Sequence, residues 1–502
     1  MDITKLNWDL EKDVIVVGFG AAGAVAAINA HDHGAATLVL EKMKHPGGSS
    51  ILAGGAMKAV HDIEKAVAYL TATQGGRVGE KLITTFARGL YELPDYLREL
   101  AKVDHATVAV HPPHGSAGVY PFPGADTFFT TFIQEIPGFT GYDWCNTGGN
   151  LNGQRLIKLL VDNIEARGIP VFYNTSVSAL ITDTEGAVVG VKAVLNEKET
   201  FIKARKGVIL ATGGFEFNEK LKREYFEAIP VYSMGNPGNT GDGVLIAQKV
   251  GAALWHMWHF HGSYGFKFPD FEPAFRNALG GARHEGRKVA WILVDQLGKR
   301  FMNEYHPAPQ DTMHRPLEYF DPDLPGYPRI PAIMIFDEDG RKLGRIANPL
   351  TAYEQHKYHW SFDNSAEVER GWIKRYDSIE ALAEGFHLDA RRLVATIERW
   401  NEQVGKGRDE DFGRPPGTMV PIKKPPFYAV YVWPICTNTQ GGPEHDEKQR
   451  VLDPYGNPIP GLYAVGELGS FFGHLYLLGG NLSECVIGGR IAGKEAAGAG
   501  AP

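Results

Sequence analysis

The chain has 502 residues, with 51 lysines and arginines against 59 aspartates and glutamates, which gives a formal net charge of −8. This acidic balance disfavours a nucleic-acid partner, because a protein that holds nucleic acid needs a basic surface. Hydrophobic residues make up 43% and charged residues 22%, a ratio that provides a large core and excludes a wholly disordered chain.

The cysteines and the N-terminus indicate a cellular compartment. Cys145, Cys436 and Cys485 lie far apart and form no CxxC pair, which favours free thiols in a reducing compartment. Residues 1–13 lack a basic segment followed by an apolar one, so no secretion signal is predicted. The longest run of low polarity, 14–30, is too short to span a membrane comfortably. We therefore expect a cytoplasmic protein without an integral membrane segment.

The first segments of the chain predict a strand, a turn and a helix in close succession. A β-branched run at 13–17 predicts a strand buried on both faces. A GxGxxG turn at 18–23 and a helix of small residues at 24–30 follow it directly. A second strand, predicted over 36–40, ends on Glu41. This order is that of a βαβ unit.

The glycines of the turn and the acid after the second strand have distinct expected roles. Gly18 permits the tight turn, and Gly20 lets the backbone approach a pyrophosphate. Gly23 lets the helix pack closely on the sheet, and the helix N-terminus attracts the phosphate charge. Glu41 stands 18 residues after Gly23, the position for a carboxylate that accepts from ribose hydroxyls. The unit is therefore predicted to bind a dinucleotide.

The residues after Glu41 indicate which dinucleotide it is. Segment 42–55 reads KMKHPGGSSILAGG, a second loop rich in glycine and serine. It resembles the loop of the FAD-binding fumarate reductase, succinate dehydrogenase and 3-ketosteroid dehydrogenase superfamily, which wraps the phosphates and ribityl chain of the flavin. In succinate dehydrogenases a histidine of this loop is joined covalently to FAD. Ser50 aligns with that histidine, so the resemblance implies FAD that is bound without a covalent link.

Five further segments resemble motifs of the same superfamily. They are, in chain order, KGVILATGGF (206–215), TGDGVLIAQKVGA (240–252), GKRFMNE (298–304), GLYAVGE (461–467) and GGN (479–481). The resemblance assigns them to a strand that re-enters the flavin domain, a GDG helix, a cap-domain motif and a C-terminal flavin clasp. It also implies that Glu467 holds the ribityl chain and that the helix after Asn481 faces the pyrimidine edge of the flavin.

The cofactor-binding residues implied by these matches are spread over the whole chain. They are Gly18, Gly20, Ala21, Ala22, Gly23, Glu41, Lys42, Gly48, Ser49, Ser50, Gly54, Gly55, Val177, Ala211, Thr212, Gly213, Gly214, Asn239, Asp242, Gly466, Glu467, Asn481, Leu482 and Ser483.

The predicted fold class is α/β: a Rossmann-like FAD-binding domain with a mostly parallel sheet, interrupted by an α+β substrate cap domain. From about residue 251 the chain becomes dense in aromatics and alternates short strands with loops. We predict 1–250 and 418–502 as the two parts of the FAD-binding domain and 251–417 as the cap.

The chain departs from the dicarboxylate enzymes of the superfamily at three positions. Those enzymes carry an HHTMGG segment, an arginine before LGGN and a second arginine in NE-x-x-x-R-D. Here 437–442 reads TNTQGG, Leu477 precedes LGGN, and Ala308 falls where the second arginine is expected. An apolar side chain does not bind a carboxylate as a planar guanidinium does. Succinate and fumarate are therefore not expected as substrates.

The segment before the last predicted helix resembles the ketosteroid Δ1-dehydrogenases. Gly473-His474-Leu-Tyr476, followed by Gly479-Gly480, is one residue shorter than their pattern. In that family the tyrosine and a glycine amide bind the ketone oxygen. Polarising a carbonyl acidifies its α-hydrogen, so a base takes that proton and the β-hydrogen leaves as hydride to the flavin. By resemblance, Tyr476 with the amide of Gly479 or Gly480 holds the carbonyl.

Several residues are candidates for moving the proton. The tyrosine that follows the NE motif in the family aligns here with Ala308, so another residue has to take its role. Tyr305 and His306 are the nearest candidates in the sequence, and Tyr120 and Tyr264 are the second choice. His474 is either a proton shuttle or a hydrogen-bonded support residue.

His256, His259 and His261 alternate with tryptophan and phenylalanine in WHMWHFH. Neither helical nor strand spacing puts all three on one face. We interpret the segment as an aromatic wall of the substrate pocket and predict no metal site.

The predicted function is an FAD-dependent dehydrogenase that acts on a C–C bond next to a carbonyl, as the 3-ketosteroid dehydrogenases do. The expected substrate is a neutral, apolar, cyclic ketone or enone, with an external electron acceptor or donor. One alternative is a reductase of activated alkenes that uses an external electron donor. A second alternative is a flavin-binding interaction protein without turnover.

Overall fold

The computed structural model describes residues 6–111, 120–279, 286–305, 311–348, 352–353 and 358–498. The elements up to residue 250 are β1 (Leu10–Val17), α1 (Ala21–Asp32), β2 (Thr37–Leu40), α2 (Gly48–Leu52), β3 (Met57–Val60), α3 (Ile63–Gln74), α4 (Glu80–Leu100), β4 (Thr107–His111), β5 (Phe128–Glu135), β6 (Cys145–Asn146), α5 (Asn152–Ala166), β7 (Val171–Phe172), β8 (Thr175–Thr182), β9 (Val188–Leu195), β10 (Lys198–Leu210), α6 (Glu219–Tyr225), β11 (Tyr232–Ser233) and α7 (Asp242–Lys249).

The elements that follow are β12 (Leu254–Trp255), β13 (Phe260–Phe268), β14 (Phe271–Arg276), β15 (Ile292–Val294), β16 (Ala332–Asp337), α8 (Glu338–Leu343), β17 (Ala352–Tyr353), α9 (Ser365–Glu369), β18 (Lys374–Tyr376), α10 (Ile379–Gly385) and α11 (Ala390–Lys406). The chain ends with β19 (Phe427–Thr439), β20 (Gly442–Pro443), β21 (Arg450–Leu452), β22 (Pro458–Ala464) and α12 (Gly480–Ala496).

The central sheet has the predicted Rossmann-like arrangement. Its strands follow the order β21-β22-β10-β1-β2-β7, and β22, β10, β1, β2 and β7 are parallel. An antiparallel pair, β8 and β9, continues from the edge of β10. Residues 14–17 of β1 are buried because helices and loops cover both faces of a parallel sheet. The α/β fold class predicted from the sequence is therefore confirmed.

Helices α1 and α12 pack closely because both are built from small residues. A Cβ atom on Gly489 would lie 2.7 Å from the carbonyl oxygen of Ala22, and one on Gly493 would lie 2.4 Å from that of Ala26. The two helices thus approach backbone to backbone, and α12 brings the C-terminal motifs to the first turn of the chain.

A second sheet forms the cap. It runs β14-β13-β19-β16-β15, and β11 and β18 also pair with β19. One face carries a buried aromatic cluster that includes Tyr264, Phe266 and Phe275. Strands β11 and β19 come from outside 251–417, so the sheet is assembled across both predicted boundaries, and the boundaries themselves stay a prediction.

The predicted cap-domain motif folds into a buried cluster of charges. The Arg300 guanidinium donates to both carboxylate oxygens of Glu304, at 3.1 and 2.8 Å, and also pairs with Asp409. The Arg414 guanidinium lies 3.4 Å from Glu304 and also donates to the carbonyl oxygen of Trp291. The motif therefore stabilises the cap through the ion pairs of the Glu304 carboxylate.

Cys145, Cys436 and Cys485 are free and buried. Within the part of the chain that the structure describes, no helix has the length and apolarity needed to cross a bilayer.

Candidate functional site

A cleft with an empty volume of about 790 Å³ opens where β1, β2 and β10 end. Sixteen predicted cofactor residues line it: Gly18, Gly20, Ala21, Ala22, Glu41, Lys42, Gly48, Ser49, Ser50, Val177, Ala211, Thr212, Gly213, Asn239, Asp242 and Glu467. Eight others do not: Gly23, Gly54, Gly55, Gly214, Gly466, Asn481, Leu482 and Ser483. The lining also includes residues that the motifs do not mark, namely Val17, Phe19, Leu40, Met43, Thr175, Asn236, Gly238, Ile246, Val465 and Cys485.

The three glycines of the first turn differ in what surrounds them. Gly18 has φ +108°, and a Cβ on it would lie 2.3 Å from the carbonyl oxygen of Ala211. A Cβ on Gly23 would lie 1.9 Å from the carbonyl oxygen of Gly18. A Cβ on Gly20 would meet no atom closer than 3.8 Å. The protein itself therefore requires the first and third glycines, whereas Gly20 keeps space free in the cleft, as a pyrophosphate at a helix N-terminus needs.

Gly20→Ala is therefore expected to keep the stability of the apoprotein and to weaken FAD binding about tenfold or more, which corresponds to about 1.4 kcal/mol. Gly23→Ala is the matched comparison, because its methyl group would collide with backbone and lower the melting temperature of the apoprotein. The measurements are FAD titration by fluorescence and thermal unfolding of the cofactor-free protein. A Gly20→Ala protein that binds FAD like wild type would contradict the assignment of the turn.

Glu41 is fixed by the backbone at the cleft. Its two carboxylate oxygens accept from the N–H groups of Phe19 and Met43, each at 2.7 Å. Burial raises the pKa of Glu41, and the backbone donors oppose this effect. Nearby, the Lys42 ammonium pairs with the Asp242 carboxylate at 2.6 Å. The predicted ribose acid is thus held rigidly at the edge of the cleft.

Two carboxyl groups lie side by side at the far end of the cleft. The amide nitrogen of Asn239 donates to Glu216 at 2.8 Å and to Glu467 at 3.4 Å. The remaining oxygens, Oε2 of Glu216 and Oε1 of Glu467, are buried and have no donor among the described residues. Burial raises the pKa of both groups, and for Glu467 the neighbouring carboxylate adds to the shift. We therefore expect the two oxygens to share one proton, which would satisfy both.

This pair is expected to make the protein less stable as the pH rises. A carboxyl whose pKa is raised on folding binds more protons in the folded state than in the unfolded one, so stability falls above the unfolded value near 4.5. Glu216→Gln should flatten this dependence by up to about 1.4 kcal/mol per pH unit for one proton. Urea unfolding of the apoprotein at pH 5, 6, 7 and 8 measures the effect. The exposed Glu185→Gln is the control, and equal slopes in both variants would refute the shared proton.

The chemistry of the residues that line the cleft suits FAD. The hydroxyl of Thr212 is a buried polar atom without a partner among the described residues, and Thr212 lines the cleft. At the aligned position of the second loop, the Ser50 hydroxyl accepts from the N–H of Ala21 at 3.3 Å. Binding without a covalent link stays a prediction.

Tyr476 lies four residues before α12 in a dense hydrogen-bond network. Its hydroxyl oxygen accepts from the N–H of Gly479 at 3.0 Å, and its own N–H donates to Asp311 at 3.0 Å. No described residue accepts the hydroxyl hydrogen. The Gly480 N–H donates to the carbonyl oxygen of Leu477 at 2.6 Å. Both glycine amides are therefore already used within the protein, which leaves the Tyr476 hydroxyl as the remaining donor of the predicted carbonyl site.

The proton-transfer candidates are dispersed. The Tyr120 hydroxyl donates to Asp311, the same carboxylate that holds the backbone of Tyr476. Tyr305 and Tyr264 lie in the aromatic core of the cap, where the Tyr264 hydroxyl accepts from the indole N–H of Trp291 at 2.9 Å. His306 lies outside the described residues. Of the three candidates that the structure describes, Tyr120 is therefore the one that joins the network around Tyr476.

His474, the remaining candidate, lies against the backbone of Gly75, and its carbonyl oxygen accepts from the Arg315 guanidinium at 2.6 Å. Burial lowers the pKa of His474, and the nearby Arg315 adds to the effect.

Three histidines predicted to line the pocket each bind a different acceptor through Nδ1. His256 contacts the carbonyl oxygen of Ser470 and His259 that of Phe472, whereas His261 contacts the Asn438 side chain at 2.8 Å. Of the three, His261 is the one whose ring packs against Tyr476, with ring centroids 4.2 Å apart and the ring planes tilted by 44°. Its Nε2 is buried without a partner among the described residues, and burial lowers its pKa to about 4.

Known proteins similar to this chain include an FAD-binding family, two enzymes and a solved structure. A family model for an FAD binding domain matches residues 13–482. An NADH:fumarate oxidoreductase of Klebsiella pneumoniae is 28% identical over 97% of this chain, which spans 47% of that protein. A 3-oxosteroid 1-dehydrogenase of Mycolicibacterium smegmatis is 30% identical, with 97% of each chain covered. A solved 3-ketosteroid Δ1-dehydrogenase of Sterolibacterium denitrificans shares the fold, with a TM-score of 0.80 at 23% identity over 97% of this chain and 100% of the other.

These matches confirm the resemblance deduced from the motifs, and with it FAD as the cofactor. Both relatives are named for redox reactions, so the alternative of a flavin-binding protein without turnover is set aside. The chain belongs to the fumarate reductase and 3-ketosteroid dehydrogenase superfamily of FAD-dependent oxidoreductases.

Proposed function

We propose that the protein transfers a hydride between FAD and a C–C bond next to a carbonyl group, with the Tyr476 hydroxyl bound to the carbonyl oxygen. The observation that carries the proposal is the state of this hydroxyl: its oxygen accepts from the Gly479 N–H, and its hydrogen has no acceptor among the described residues. A preorganised donor of this kind stabilises negative charge as it develops on the carbonyl oxygen.

The proton has an acceptor beside this hydroxyl. His261 donates through Nδ1 to the amide oxygen of Asn438, so the neutral ring carries its lone pair on Nε2. That nitrogen is buried next to the Tyr476 ring and is free among the described residues. In our proposal Tyr476 polarises the carbonyl and His261 takes the α-proton. When bound, FAD supplies the acceptor or the source of the hydride.

The relatives support two directions of this reaction. The 3-oxosteroid 1-dehydrogenase relative favours desaturation of an apolar cyclic ketone with an external electron acceptor. The NADH:fumarate oxidoreductase relative favours reduction of an activated alkene with an external electron donor. The hydroxyl of Tyr476 serves either direction, because the same charged oxygen forms in both.

Anaerobic absorbance spectra of the holoenzyme test the proposal in both directions. The oxidised protein is mixed with a 3-ketosteroid and with simpler cyclic ketones, and bleaching of the flavin band indicates dehydrogenation. The dithionite-reduced protein is mixed with the matching enones, and return of the band indicates reduction. No change with any of these compounds, while FAD stays bound, would refute the proposed reaction.

A further inference from the structure

Arg276 lies on the face of the cap sheet that carries His261. It pairs with Gly265 across β13 and β14. Alternate residues of a strand share a face, so Ser263 and Gly265 point to one side of β13, and directly paired residues such as Arg276 point to that side too. The register with β19 shifts between His261 and Gly262, but the extra residue lies in β19, so the alternation along β13 continues to His261. The opposite face of β13 carries Tyr264 and the rest of the aromatic core.

Within the described part of the chain, no residue forms an ion pair with Arg276. No described carboxylate pairs with its guanidinium and no described acceptor receives its hydrogens, and its Nε atom is buried without a partner. Burial lowers the pKa of Arg276 to about 10, so the group remains a cation at neutral pH. By contrast, the buried guanidiniums of Arg300 and Arg414 both contact Glu304. Arg276 is half-buried, and holding an unpaired charge partly out of water is costly, so a bound anion would offset this cost.

Arg276 can supply the second donor that the predicted carbonyl site needs, because the two glycine amides are used within the protein. Arg276 is close enough to Tyr476 and to His261 for its charge to influence both groups. The Gly479 and Gly480 amides donate within the protein, so Tyr476 would otherwise hold a developing negative charge alone. A guanidinium is well suited to this role, because charge-assisted hydrogen bonds are about twice as strong as neutral ones.

We propose that Arg276 is a catalytic residue whose guanidinium, together with the Tyr476 hydroxyl, binds a negatively charged oxygen of the substrate. The inference rests on the proposed function. When the α-proton leaves, the electron pair of the broken C–H bond forms an enolate, and its charge settles on the oxygen between the two donors. When the β-hydride passes to FAD, the carbonyl is restored and the new C=C bond is complete. A carboxylate carried permanently by the substrate would fit the same two donors.

Binding of two anionic probes to the oxidised holoenzyme tests this proposal and separates the two sources of charge. 4-Nitrophenol binds as a phenolate and mimics an enolate oxygen on a flat ring, whereas benzoate presents a carboxylate. Arg276→Gln should raise the Kd of the recognised probe about tenfold or more, as expected for a lost hydrogen bond to a charged group. Arg276→Lys keeps the charge and should lose less. Arg370→Gln, at an exposed ion pair of the cap, is the control.

Each outcome has a definite meaning. A loss confined to 4-nitrophenol supports an enolate oxygen, and a loss of benzoate affinity supports a substrate carboxylate. Unchanged affinity for both probes in Arg276→Gln overturns the inference. If Tyr476→Phe weakens the probes but Arg276→Gln does not, the carbonyl site survives and only Arg276 is refuted. If Arg276→Gln does not retain FAD, Arg276→Lys is compared with wild type at pH 9, where both probes are anions. Lysine lacks the planar fork of the guanidinium, so wild-type affinity for both probes would overturn the role of the guanidinium.

Discussion

Tyr476→Phe holoenzyme is expected to exchange electrons with its substrate about 10²-fold more slowly than wild type, or slower still. The substitution keeps the ring that packs against His261 and removes the hydroxyl that accepts from Gly479. What is lost is thus a donor to an oxygen that becomes charged during the reaction, and little of the packing. Stopped-flow absorbance of the flavin under anaerobic conditions measures the rate.

Tyr264→Phe is the matched control for this prediction. Its hydroxyl is also buried, but it accepts from Trp291 inside the cap core. The control should retain the wild-type rate within about threefold, since a single hydrogen bond in the cap contributes about 1 kcal/mol to stability and nothing to the site. A Tyr476→Phe rate within threefold of wild type would remove Tyr476 from the chemistry.

Glu304→Ala is expected to destabilise the cap by about 3–5 kcal/mol. The substitution leaves the buried guanidiniums of Arg300 and Arg414 without the carboxylate that both contact. It also removes the acceptor of the Leu293 N–H in β15, which lies 3.0 Å from Glu304. Urea unfolding of the FAD-bound protein, followed by tryptophan fluorescence, should show the loss as an early transition.

Glu402→Ala provides the comparison for this experiment. Glu402 pairs with Lys406 on the surface of α11, where solvent screens the two charges, so the unfolding midpoint should not move. If Glu304→Ala unfolds at the same urea concentration as Glu402→Ala, the cluster does not stabilise the cap.

Local sequence patterns predicted the first turn of the cofactor cleft because its determinants are close together in the chain. Gly18, Gly20 and Gly23 follow a buried strand directly, and the acid that ends the next strand is held by the backbone of the same turn. Glu216 is different, because it becomes important only through its neighbour Glu467, which is distant in sequence. In the sequence, Glu216 is marked by its position directly after the TGGF segment (212–215).

The catalytic side was less predictable because it depends on strand register and on loops that meet in space. Arg276 reaches the face of His261 through the pairing of β14 with β13, which no motif in the chain marks. Asp311 joins Tyr120 to Tyr476 from a loop of the cap. The Gly479 amide could be identified by resemblance, but only the structure shows that it donates to the Tyr476 hydroxyl.

A crystal structure of the oxidised holoenzyme with 4-nitrophenol would test the central claim most directly. We predict that the phenolate oxygen lies within about 3 Å of the Tyr476 hydroxyl, the distance of a charge-assisted hydrogen bond. A ligand whose oxygen lies elsewhere, with the Tyr476 hydroxyl donating to a protein acceptor instead, would contradict the carbonyl site.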